Sequence, residues 1–145
     1  MPDTGSVKRL LIGSVLAVAV LAAPTGVAAA ASPTVRLAIV HAMRGCHVWG
    51  TESSQPLGPS RKLSVRRGTK LMIRVSCPMS FELAQTAGPA LDLGDTRMYP
   101  GTVRTITFGR AGVYKFTATN VETSEQMGLQ TLGPDNVLGL TVVVR

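Results

Sequence analysis

The sequence predicts an all-β sandwich preceded by a cleavable signal peptide, and three observations carry that expectation. Apolar residues beyond Ser32 recur with period two, as in Val35, Leu37 and Ile39 or Leu138, Leu140, Val142 and Val144, which is how half-buried strands read. Turn-forming pairs such as Arg67-Gly68, Gly88-Pro89, Pro100-Gly101 and Gly133-Pro134 separate these sets at the spacing of a sandwich or barrel. No stretch holds an apolar period of 3.6 for three helical turns.

The signal reading rests on the first thirty-odd residues. Lys8 and Arg9 form a positive start, Leu10 to Ala23 is apolar, and Val27-Ala-Ala-Ala-Ala31 offers small residues for cleavage. The apolar run is shorter than the roughly 20 residues needed to span a bilayer. The expected division is therefore a signal peptide over 1–31 and one domain over 32–145, with no membrane span once the signal is removed and a secreted, periplasmic or cell-envelope destination. A chain of this length buries enough surface for one sandwich core.

The patterns place strands near 34–41, 45–50, 61–66, 69–76, 80–86, 102–108, 113–119 and 138–144. The intervals 87–101 and 120–137 are left as loops, and loops of that length are uncommon unless they have a function. Each contains a methionine, Met98 and Met127, in otherwise polar surroundings.

The net charge of +7 is compatible with nucleic acid, anionic lipid or an acidic protein as partner. Its distribution argues against nucleic acid. Arg61, Lys62, Arg66 and Arg67 flank Leu63 and Val65 with no aromatic residue nearby on which a base could stack. An edge strand protected by charge accounts for that cluster. The expected macromolecular partner is an acidic redox or envelope protein.

Both histidines of the chain lie in His41-Ala-Met-Arg-Gly-Cys46-His47-Val-Trp49, together with one of its two cysteines. Imidazole with soft sulfur suits copper, Cu(I) above all, better than calcium or magnesium. Strand parity continues Val35, Leu37 and Ile39 to His41, so His41 should face inward at the end of its strand, either as a ligand or as a buried imidazole bonded to a carbonyl. Trp49 shares parity with His47, so a core Trp49 would turn His47 inward and Cys46 away. Cys46 and Cys77 admit a disulfide, a metal thiolate or free thiols, the first being the commonest outcome in an exported chain. Methionine in a β protein is usually gap-filling core; Met98 and Met127 stand out because their segments are polar.

Catalysis is not indicated. The sequence has no glycine-rich phosphate loop, no GxSxG, no HExxH and no carboxylate pair at a readable spacing, and no third group orients a Cys-His couple.

Four segments stand out together: the first strand ending in His41, Gly68-Thr-Lys-Leu-Met-Ile-Arg-Val-Ser76, Gly112-Val-Tyr-Lys-Phe-Thr117 and the finish from Leu138 to Val144. In these the chain resembles the cupredoxins. Gly45-Cys-His-Val-Trp49 and Met127 followed by Gly133-Pro-Asp-Asn-Val-Leu138 are especially similar to a group of bacterial secreted or periplasmic members. The resemblance implies a cupredoxin-like Greek-key β-sandwich, a copper cofactor and electron transfer. It also implies a copper histidine a few residues after Val75, where this chain has Phe81, and Cys, His and Met in the last loop, where only Met127 is present. The expected function is copper handling or electron transfer through a non-classical site drawn from His41, Cys46, His47, Met98 and Met127. The alternative is a metal-free interaction or structural module of the cell envelope with Cys46 and Cys77 joined.

Overall fold

The computed structural model describes residues 31–42, 47–121 and 137–145, and these residues belong to one compact unit, Ala31–Arg145. Among them are ten strands and no helix. In chain order they are β1 Thr34–His41, β2 His47–Gly50, β3 Pro56–Gly58, β4 Ser60–Val65, β5 Lys70–Val75, β6 Phe81–Ala87, β7 Arg97–Met98, β8 Val103–Thr107, β9 Gly112–Asn120 and β10 Val137–Val144. One sheet has the order β3-β2-β1-β5-β8 and the other β4-β10-β9-β6-β7. The all-β sandwich expected from the period-two patterns is the architecture observed.

Two parallel pairings shape the sheets. β1 lies parallel to β5, with Leu37 opposite Ile73, and β4 lies parallel to β10, with Leu63 opposite Val142. Parallel neighbours cannot be joined by a tight hairpin, so the intervening chain crosses between the sheets. The strand β10 alternates most cleanly, with Leu138, Leu140, Val142 and Val144 buried. They meet Leu37, Ile39, Leu71, Ile73, Leu83, Phe116 and their neighbours in one core cluster.

Two side-chain hydrogen bonds tie this core together. Trp49 on β2 is fully buried and donates its indole N–H to the carbonyl of Gly139 on β10, 2.8 Å away, so the bond spans the two sheets. Tyr114 on β9 donates its hydroxyl to the carbonyl of Arg110, also at 2.8 Å, a tyrosine corner holding the entry to that strand. Beside it, Gly88 has φ of 104°, and a Cβ there would collide with the carbonyl oxygen of Val113. Only glycine meets both conditions without strain.

The basic cluster lies where the sequence suggests. β4 is an edge strand, with Arg61 and Lys62 exposed and Leu63 and Val65 half-buried. Two strands depart from the expectation. β3 runs through Pro56-Leu-Gly58, which reads as a turn, and β7 lies inside 87–101, which reads as a loop. Both are too short to show a period. They exist because β2 and β6 offer free edges to pair with.

Candidate metal centre

The strand ends at one pole of the sandwich collect most of the residues that could carry chemistry. β1 ends there in His41 and β2 starts there with His47, and the two are direct antiparallel partners. Direct partners share a face. That face also carries the pair Ile39 and Trp49, both fully buried, so both imidazoles are on the core side of their sheet. The parity argument for His47 therefore holds. For His41 it gives the correct face but not burial, because the strand outruns the core at this end and leaves His41 exposed.

The two imidazoles meet edge to face, with centroids 5.4 Å apart and planes at 81°. On its other side His47, which is only 2% exposed, meets the ring of Phe81 at 5.3 Å and 75°. This second contact joins the sheets, since Phe81 opens β6 in the opposite one. Phe81 in turn is the strand partner of Met98 on β7. A file of four residues, His41, His47, Phe81 and Met98, thus runs across the pole, drawn from β1, β2, β6 and β7.

Met98 is not a loop residue. It sits in a strand, 1% exposed and within the core cluster, because pairing of β7 with β6 turns it inward beside Phe81. The polar neighbours that single it out in the sequence are the solvent-facing part of the same segment, Arg97 being exposed.

The crossover from β5 to β6 closes the pole. Ser76 donates its N–H to the carbonyl of Ile39 at 2.9 Å, and Ser80 accepts from the N–H of Val121 at 3.1 Å, so 76–80 is stitched to one sheet at its start and to the other at its end. This segment buries Cys77, whose Sγ lies 4.0 Å from the carbonyl oxygen of Met79. Met79 packs, half-buried, against the core. Cys46 and Met127 lie outside the described residues, and so does the proposed approach of Cys46 to Cys77.

A copper ion sets conditions on the spacing and the type of its donors. Two imidazoles that share one ion, each through a nitrogen at about 2.0 Å, have ring centres roughly 5 to 6 Å apart, and the observed pair falls in that range. Imidazole is a good copper donor, and thioether sulfur is compatible with the reduced ion. In donor type the pair fits, while its spacing is also that of an ordinary ring contact, since His47 lies 5.3 Å from Phe81. It does not complete a four-ligand centre: among the described residues no group of three or more His, Cys, Asp or Glu is placed to hold a metal. Phe81, which packs against His47 from the opposite sheet, has no donor atom to add.

Two of these features leave no signal in the sequence. Nothing local marks Phe81 as the partner of His47, and nothing marks β7 as the element that brings Met98 beside it, because both depend on sheet pairing.

No protein-family model matches the chain, and no curated relative matches it. Among solved structures the sandwich is similar to cupredoxins at low identity. A reduced tryptophan-to-tyrosine mutant of amicyanin shares 17% identity at a TM-score of 0.44, over 79% of this chain and 85% of that one. A purple cupredoxin from Nitrosopumilus maritimus shares 16% at 0.43, over 74% of this chain and 97% of its own. A reduced Cu(I) form of a proline-to-glycine amicyanin mutant shares 18% at 0.42, over 81% and 85%.

Proposed function

We propose that this is an exported copper-binding protein, with His41 and His47 as the imidazole ligands of a copper ion at the pole of the sandwich. The observation that carries the reading is that the only two imidazoles of the chain meet there, with ring centres 5.4 Å apart. In this reading the ion and an acidic redox or envelope protein are the partners, and the role is copper handling or electron transfer.

The two histidines divide the work. His47 is buried and contacts the rings of both His41 and Phe81. His41, exposed at the rim, is the group an incoming ion meets first. Phe81 and Met98 close the inner side of the pair to water, since both are fully buried. Remaining donors are assigned to Cys46 and Met127, whose segments adjoin β2 and β10. Bound copper would supply a one-electron couple. Among the described residues no helix is long and apolar enough to cross a membrane.

Competition titration with a Cu(I) chelator tests the reading. The parent should take up about one ion per chain, His41→Ala should weaken binding at least about tenfold, equivalent to about 1.4 kcal/mol, and Met127→Leu should weaken it without changing the fold. Identical affinity in all three would remove it.

A second reading is supported by the packing of Phe81. A phenyl ring against His47 and a core methionine beside it are what a metal-free module would have. In that reading the protein is a structural or interaction module of the envelope with Cys46 and Cys77 joined.

A further inference from the structure

The outer face of the second sheet, on the far side of that sheet from the core, carries a second candidate site. Sheet register places Lys62 on β4 and Lys115 on β9 on either side of Thr141 on β10, since Thr141 is the direct partner of both. The next row on that face is Ser60, Gly139 and Thr117, again direct partners, with Ala84 of β6 beyond Thr117. Strands are spaced by about 4.8 Å, so the two lysine Cα atoms are about 10 Å apart with a hydroxyl between them. The second row has no large side chain, and Gly139 has none at all.

The result is a depression of about 430 Å³ lined by Lys62, Lys115, Thr117, Gly139 and Thr141 among others. Thr86 also lines it, and Thr86 lines a second depression of about 390 Å³ formed with Gln85 and the turn through Gly88 and Leu91. That second depression is distinct from the first and is fixed in shape. The amide of Gln85 donates to the carbonyl of Pro89 at 2.8 Å and accepts from the N–H of Leu91 at 3.0 Å. The first, a groove, crosses β4, β10, β9 and β6, a span of about 14 Å.

Its chemistry selects an anion. Lysine and hydroxyl groups line it, and none of its lining residues is acidic. Lysine binds phosphate-type oxyanions as a point charge, and hydroxyls add hydrogen bonds. The span exceeds what one small oxyanion would occupy, which favours a chain. The aromatic side chain nearest the floor, Phe116, is turned into the core, so no ring is offered for a base to stack on.

We propose that this face binds a linear, base-free polyanion, whose oxyanions lie across the four strands with Lys62 and Lys115 as the charged contacts. The binding is independent of the histidine pair, which belongs to the pole and to the core face. The test is titration of the protein with polyphosphate and, separately, with inorganic phosphate in about 0.15 M salt, where diffuse surface attraction is screened beyond about 8 Å. Polyphosphate should shift the amide resonances of Thr117, Gly139 and Thr141. The Lys62→Gln, Lys115→Gln double variant should lose at least about tenfold in affinity, and an Arg66→Gln, Arg67→Gln control less than about threefold. These are exposed side chains, so both variants should keep the parent spectrum elsewhere. Equal losses in the two double variants, absence of shifts at those amides, or inorganic phosphate binding as tightly per phosphate as the polymer would each overturn the proposal.

Discussion

The ring of Phe81 lies edge-on to the ring of His47, with centroids 5.3 Å apart, and so links the two sheets at the pole where β1 and β2 bring the histidines together. A phenyl ring here is an apolar support for one imidazole. A third imidazole in its place would make the pole a three-nitrogen donor set. Phe81→His should therefore raise Cu(II) affinity at least about tenfold over the parent, read by competition titration. It should also lower stability by about 1 to 3 kcal/mol, because a polar ring replaces an apolar one in a buried site. Unchanged copper affinity in a folded variant would mean that His47 does not face the metal.

Trp49 and Gly139 form the side-chain hydrogen bond described between the sheets, at 2.8 Å. Trp49→Phe removes the donor, leaves the carbonyl without it and opens a void. The expected cost is about 2 to 4 kcal/mol, measured by urea unfolding with an unchanged m-value. A loss below about 0.5 kcal/mol would mean the bond contributes nothing net.

Tyr114→Phe tests the corner bond to Arg110 with little change of volume. A cost of about 0.5 to 1.5 kcal/mol is expected from thermal or urea unfolding, since one neutral hydrogen bond is lost.

Gly88→Ala adds a Cβ at a φ of 104° and against the Val113 carbonyl, so the backbone must shift. The variant should be destabilised by at least about 1 to 3 kcal/mol. Stability equal to the parent would show that the turn relaxes freely.

How much of this was legible in the sequence depends on whether the determinant was local. Alternation marks β5, β9 and β10, because one face of each is buried and the period survives over five or more residues, whereas β1 keeps the pattern only in Val35, Leu37 and Ile39 and is buried on both faces from Leu37 to Val40. The same parity put His47 inward behind Trp49. It could not show that His41 would be exposed, since burial at a strand end depends on what covers it. β3 and β7 were not legible, being two or three residues long and made by pairing with a distant strand. Met98 illustrates the consequence: its polar neighbours suggested a loop ligand, and β6 makes it a core residue beside Phe81. The lysine groove was equally hidden, because Lys62 and Lys115 become neighbours only through β10.

The thiols separate the two functional readings. The metal-free reading predicts that the unreduced protein resists alkylation at both Cys46 and Cys77, with Cα atoms about 4.4 to 6.8 Å apart. Mass spectrometry after alkylation under denaturing, non-reducing conditions checks this. Two labelled cysteines would remove the disulfide from the account and leave Cys46 open as a copper donor.

X-ray absorption at the copper edge of the loaded protein reads whether His41 and His47 hold the same copper ion. Two imidazoles at about 2.0 Å should give multiple-scattering features, and the contribution of one should disappear in His41→Ala. A spectrum with sulfur scatterers alone, or an identical imidazole contribution in His41→Ala, would rule out a shared ion.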